Sequence, residues 1–318
     1  MANPRRPPFD AELAGPLAAI PMDDVFRTAE QVIARERANS SATREAVESE
    51  GVTTRDVTID GHDGGQITLS IIERPGRTGT GPGIFYIHGG GMVSGNRWLG
   101  AQEFIPQIRE SNAVVVTVEY RLAPENPHPI PVEDCHAGLL WTAAHAAELG
   151  VDPGRLLLAG GSAGGGLAAG VALMNRDRHG PELCGQLLMC PMLDDRDSTV
   201  STLQYADAGL WTRSTNVVGW TALLGEAKGG DDVHEYAAPA RATDLADLPP
   251  AYIDCGSAEV FRDEDVAYAQ AIWAVGGQAE LHVWAGGFHA FDGFVPDAAV
   301  SRVAIATRQA WINKILAV

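Results

Sequence analysis

"LLLAGGSAGGGLAAGVALM", residues 156–174, decides the fold. An apolar run breaks into glycine at 160, 161, 164, 165 and 166 around one serine, Ser162, then resumes as small apolar residues. The first part reads as a buried strand, "RLLLAG", and the segment from Ala163 to about Met174 as a helix. Between them Gly160-Gly161-Ser162-Ala163-Gly164 matches G-x-S-x-G, a pattern that gains its meaning from the flanking strand and helix. Such a turn strains its serine so that the hydroxyl projects at the C-terminal edge of a sheet. Glycines two before and two after remove side chains that would collide there. The amide of Ala163, at the helix start, is free to bind an anion.

Outward from this turn the chain alternates. Strands are expected at "RDVTID", "QITLSIIE", "GIFYI", "AVVVTVEY", "QLLMCPM", "AYIDCGS" and "ELHVWAG". Helices are expected over 132–149, "DVAYAQAIWAV" and about 300–315. This order predicts an α/β fold: a mostly parallel sheet flanked by helices, extended at one edge by an antiparallel hairpin through "GHDGG". Two regions depart from the alternation. Residues 1–50 read as helical, with Asp23 or Asp24 as N-cap before "VFRTAEQVIARER". Residues 195–240 form a connection far longer than usual between two strands. We expect 51–194 and 241–318 to form the catalytic domain. The first fifty residues, as N-terminal cap helices, and 195–240, as a cap insertion, should cover it.

The bulk numbers fit a globular chain of 318 residues, 45% hydrophobic and 20% charged. A formal net charge of −18 argues against nucleic acid or an anionic membrane as partner. The first twenty residues hold no apolar stretch long enough for a signal peptide, and no run approaches the length of a membrane span. A cytoplasmic location is expected. Cys135, Cys184, Cys190 and Cys255 lack C-x-x-C spacing and read as reduced, small buried hydrophobes, with no metal site.

A serine hydroxyl needs a base. In the order Ser…acid…His the base follows the last strand, which selects His289 in "WAGGFHAF". His282 lies inside that strand, and His62, His128, His136, His145, His179 and His234 have no comparable setting. His88 opens "HGGG", an oxyanion-loop pattern of lipases and esterases, in which the amides of Gly89 and Gly90 would join that of Ala163. His88 itself should brace the loop. For the acid, position after the strand "AYID" leaves Asp254, Glu259, Asp263, Glu264 and Asp265 open. Asp263 to Asp265 suit a helix first turn, which leaves Glu259 in the loop.

Four stretches, "HGGG", "YRLAPENPHPIPVEDC", "GGSAGGG" and "SAEVFRDE…GFHAF", span residues 88–291 in this order. Together they resemble the bacterial branch of the hormone-sensitive lipase family, esterases of the α/β-hydrolase fold. The resemblance implies ester hydrolysis without a cofactor, a helical cap, Ser162 as nucleophile, His289 as base, and Gly89, Gly90 and Ala163 as oxyanion donors. It matches Glu259 to the family's usual aspartate acid, and it puts Gly161 where the family usually has aspartate. Tyr120, Arg121, Glu125 and Asp134 match structural ties beneath the oxyanion loop. A homodimer through "ELHVWAGG" and the C-terminal helix is implied as well.

The reading is therefore a serine carboxylesterase for short-chain esters. Tyr205, Leu210, Trp211 and Phe288 are candidates to line its pocket. A lactone, amide or aryl-ester hydrolase would use the same triad, and a non-catalytic small-molecule binder would have lost one of its members.

Overall fold

The computed structural model describes residues 4–20 and 28–317. Eight strands make one sheet: β1 (Thr53–Asp60), β2 (Gln66–Glu73), β3 (Gly81–Ile87), β4 (Val114–Glu119), β5 (Val151–Gly161), β6 (Gly185–Met189), β7 (Ala251–Gly256) and β8 (Ala279–Trp284). Their spatial order is β1-β2-β4-β3-β5-β6-β7-β8. β1 pairs antiparallel with β2, β2 antiparallel with β4, and every later pair is parallel. The parallel strands are apolar on both faces because both are covered. Phe85 and Ile87 of β3 point into one core, while Ile84 and Tyr86 point into a second core across the sheet.

Twelve helices occur among the described residues. The N-terminal ones are α1 (Ala11–Ala19), α2 (Ala29–Asn39) and α3 (Arg44–Glu48), followed by α4 (Ile105–Glu110), α5 (Ile130–Ala144) and α6 (Ala146–Leu149). Next come α7 (Ala163–Asp177), α8 (Val200–Gln204), α9 (Arg213–Leu224), α10 (Arg262–Ala274), α11 (Phe291–Phe294) and α12 (Ala299–Leu316). Leu139 of α5, Leu167 and Val171 of α7 and Ile272 of α10 fill the first core; Ile108 of α4 and Ile312 of α12 fill the second. None of these helices is long and apolar enough to cross a membrane.

Three elements differ from the sequence expectation. The helix expected over 132–149 is two helices that meet at His145, whose backbone takes φ −100° and ψ 12° and whose ring Nδ1 lies 2.8 Å from the Trp141 carbonyl oxygen. The strand expected to run through Met192 stops at Met189, where Cys190 takes φ 39° and Pro191 supplies no N–H. The second N-terminal helix starts at Ala29 with a capping box between Thr28 and Gln31. Asp23 and Asp24 lie outside the described residues.

The segments outside the alternation meet one another. α2 packs on α9, Phe9 packs against Tyr205, and the Tyr205 hydroxyl donates to the carbonyl of Pro7 at 2.8 Å. α1 lies elsewhere: its Leu13 and Leu17 pack on Phe288 and Phe291, and Asp10 N–H donates to the carbonyl of Gly286. The N-terminus thereby clamps the loop after β8. α3 sits against β1 at the sheet edge.

Candidate active site

β5 ends at Gly161 and α7 begins at Ala163, so Ser162 is the whole turn. Its backbone holds φ 56° and ψ −123°, a strained conformation for a residue with a side chain. Strand and helix close on each other so tightly that a side chain at Gly160 would strike the carbonyl of Gly164. One at Gly164 would strike the carbonyls of Ile87 and His88. Ser162 N–H donates to Met189 O at 2.8 Å, and Met192 N–H donates to Ser162 O at 3.0 Å. The turn is thus pinned to the end of β6 and to the segment that follows it.

The loop after β8 brings His289 over this turn, with Nε2 2.9 Å from Ser162 Oγ. On the ring's other side Nδ1 lies 2.6 Å from Glu259 Oε2. The second Glu259 oxygen accepts from Gly256 N–H at 2.7 Å. His289 and Glu259 are both buried, and Phe261 packs edge-on against the imidazole with centroids 5.0 Å apart. In this network Nδ1–H donates to the carboxylate, and Nε2 is left to accept the serine proton.

Of the alternative acids, Asp263 turns away: it accepts from Ser201 N–H at 2.8 Å and from Arg262 Nε at 2.8 Å. Asp254 pairs with Arg308, and Glu264 accepts from the amides of Leu193 and Asp194. Asp265 is fully buried, and neither of its oxygens has a conventional hydrogen-bond partner.

The loop after β3 comes up beside the serine. A Cβ on Gly89 would lie 2.9 Å from Gly161 O and 3.2 Å from Ser162 Cβ, and Gly90 holds φ +110°, which glycine adopts without cost. Among the described residues the amides of Gly89, Gly90 and Ala163 donate to no other group. His88 is buried beneath them, stacked on Tyr120 at 4.3 Å, with Nδ1 2.7 Å from Gly89 O. Burial pushes its imidazole down to about 4, so it stays neutral and braces the loop. Tyr120 OH donates to His88 O at 3.0 Å. Arg121 holds Asp134 through two hydrogen bonds of its guanidinium, at 2.8 and 2.7 Å, and Glu125 is held by Arg37 of α2.

A cavity of about 630 Å³ opens onto Ser162 and His289. Leu210 and Trp211 line it; Trp211 lies over Gly91 and 6.4 Å from the His289 ring. Tyr205 and Phe288 do not line it. Their rings pack on Phe9 and join the cap and the N-terminus to the core.

Sequence reasoning missed Cys190. It lines the cavity, and its Sγ, a Glu259 oxygen and a His289 nitrogen lie within 4.8 Å of one another, a donor set that could hold a metal ion. Burial, reinforced by Glu259, pushes its thiol well up. Pro191 was the available signal, since a proline ends the strand before it and leaves Cys190 in the turn that follows Met189.

The chain is similar to known proteins in both sequence and fold. A family model described as the alpha/beta hydrolase fold matches residues 84–293. Esterase LipI of Mycobacterium tuberculosis is 37% identical over 235 residues, 71% of this chain and 72% of that protein. An acetyl-hydrolase of Streptomyces hygroscopicus is 30% identical over 272 residues, 85% and 86% of the two chains. A solved structure titled Bacterial Heroin Esterase superposes with a TM-score of 0.89 at 37% identity, covering 97% of this chain and 98% of that one. The chain belongs to the α/β-hydrolase fold family, in its hormone-sensitive lipase branch, and is a carboxylic ester hydrolase.

Proposed function

We propose that Ser162, His289 and Glu259 are the catalytic triad and that Gly89, Gly90 and Ala163 form the oxyanion hole. The continuous path from Ser162 Oγ to His289 at 2.9 Å, and from His289 to Glu259 at 2.6 Å, carries this reading. Ser162 Oγ attacks the ester carbonyl carbon while its proton passes to His289 Nε2. The carbonyl oxygen becomes an oxyanion facing the three amides, each worth about 3 kcal/mol to the transition state. His289 returns the proton to the leaving alkoxide, and the acyl group stays on Ser162. Water then gives a proton to His289 and attacks the acyl carbon; collapse releases the carboxylic acid as His289 returns that proton to Ser162 Oγ. Glu259 holds the ring and stabilises the imidazolium without taking its proton.

Short acyl chains are the expected substrates. Trp211 walls the space over the glycine loop, and a relative is named for acetyl hydrolysis. Four free thiols support a reducing, cytoplasmic setting, and exposed Val283 on β8 and Val303 on α12 support a homodimer through that edge. The test is hydrolysis of p-nitrophenyl esters from acetate to dodecanoate by wild type and by Ser162→Ala. A short-chain maximum lost in the variant is expected; activity retained in Ser162→Ala overturns the assignment.

A further inference from the structure

The cavity continues from Ser162 past Gly161, along Met189 and Tyr86, to a cluster of charge in which Arg308, Asp254 and Asp292 are buried and Glu103 is partly exposed. A Cβ at Gly161 would lie 3.6 Å from both Met189 Cε and the Tyr86 hydroxyl, so the bare glycine leaves that passage open. At its end Arg308 of α12 lies 2.9 Å from Asp254, 2.6 Å from Asp292 and 3.2 Å from Glu103. All four line the cavity. Trp284 Nε1 donates to Asp254 at 3.3 Å. Among the described residues no other cation pairs with these carboxylates, so one guanidinium faces three acids. Burial, with the carboxylates acting on one another, raises Glu103 and Asp254 above the usual range.

A second observation points to a ligand. Tyr86 is 3% exposed, and its hydroxyl borders the cavity with no hydrogen-bond partner among the described residues. Its charged neighbours are Glu103 and Arg308. A buried phenol facing a cavity without a partner is a polar position that a bound molecule fills. Arg308 is already surrounded by carboxylates, so an anionic ligand would meet like charge, whereas a cation would relieve it.

We propose that this end of the cavity is a subsite for a protonated amine carried by the ester substrate. The ammonium N–H donates to Asp292, the Glu103 carboxylate and the Tyr86 hydroxyl oxygen face its positive charge, and the amine's carbon substituents lie on Trp284. The subsite deepens the esterase reading and rests on it.

The test compares kcat/KM of the full-length enzyme on isosteric pairs at neutral pH. One pair carries the amine on the alcohol, 2-(dimethylamino)ethyl acetate against 3-methylbutyl acetate. The other carries it on the acyl group, ethyl 4-(dimethylamino)butanoate against ethyl 5-methylhexanoate. A preference of about tenfold or more for the amine in at least one pair is expected, as for a buried charge pair. Glu103→Gln with Asp292→Asn should cut that preference to about threefold or less. If the double variant does not fold by circular dichroism, each single variant should shed part of the preference. Equal or poorer use of the amine in both pairs, with the neutral esters turned over, overturns the subsite alone. A preference untouched in the folded variants also overturns it. No turnover of any of the four esters, nor of p-nitrophenyl acetate, removes the esterase reading and the subsite with it.

Discussion

Glu259 divides its carboxylate between two partners: Oε2 lies 2.6 Å from His289 Nδ1, and Oε1 accepts from the backbone N–H of Gly256 at 2.7 Å. The amide fixes the carboxylate, and the carboxylate fixes the ring. A residue one methylene longer than aspartate can do this because the end of β7 supplies that second anchor. Glu259→Gln keeps the shape and loses the charge, so kcat on p-nitrophenyl acetate should fall by about three to four powers of ten. Asp263→Asn should keep kcat within about tenfold of wild type, since Asp263 holds the start of α8 instead. The reverse ranking of the two variants would move the acid to Asp263.

The serine turn predicts different outcomes for the glycines on its two sides, Gly161 and Gly164. A methyl at Gly164 would run into the carbonyls of Ile87, the last residue of β3, and of His88 just after it. Gly164→Ala should cost more than about 3 kcal/mol of stability. Gly161→Ala meets ordinary contacts of 3.6 Å and should stay within about 1 kcal/mol of wild type. Denaturant midpoints compare the two; equal losses would contradict the packing described for the turn.

His88 carries a pH signature. Its folded-state pKa, about 4, lies below the usual 6.5 because burial disfavours the imidazolium. Its contribution to stability is therefore complete above about pH 6.5 and is lost as pH falls from there through about 4. NMR of the ring nitrogens at pH 5.5 should find His88 neutral. A ring that titrates near 6.5 would remove it as the buried brace of the oxyanion loop.

Asp265 predicts the opposite slope. Burial, with Glu264 and Glu259 nearby, raises its carboxyl well above 3.8. In the folded state it holds a proton that the unfolded chain releases, so stability is lost as pH rises from about 4 through the raised value. Asp265→Asn removes that linkage. Its stability relative to wild type, from urea unfolding at pH 4 and pH 8, should improve toward pH 8. A constant difference would show that Asp265 is not held protonated.

The fold and the candidates Ser162, His289 and Glu259, which the structure aligns, were legible because each is local. Strand, glycine turn and helix around Ser162 are written in nineteen consecutive residues, 156–174, and Glu259 and His289 each follow a short strand in the chain's alternation. The cavity was not. Leu210 and Trp211 line it while Tyr205 and Phe288 serve packing, a distinction made by contacts with Phe9 and α1 far away in sequence. The cluster of Glu103, Asp254, Asp292 and Arg308 assembles from four separate segments, and only the fold brings them together. The alternation of β7 does put Asp254 on the face opposite Cys255, but nothing in the chain marks Arg308 as its partner.

The central claim is that Ser162 is the atom-transferring nucleophile. The most direct measurement is covalent trapping with diethyl p-nitrophenyl phosphate, read by peptide mass spectrometry beside residual esterase activity. The account predicts one diethylphosphoryl group per chain, on the peptide holding Ser162, with activity falling in step and no label in Ser162→Ala. Full inactivation with the label on another residue, or labelling that persists in Ser162→Ala, would contradict it.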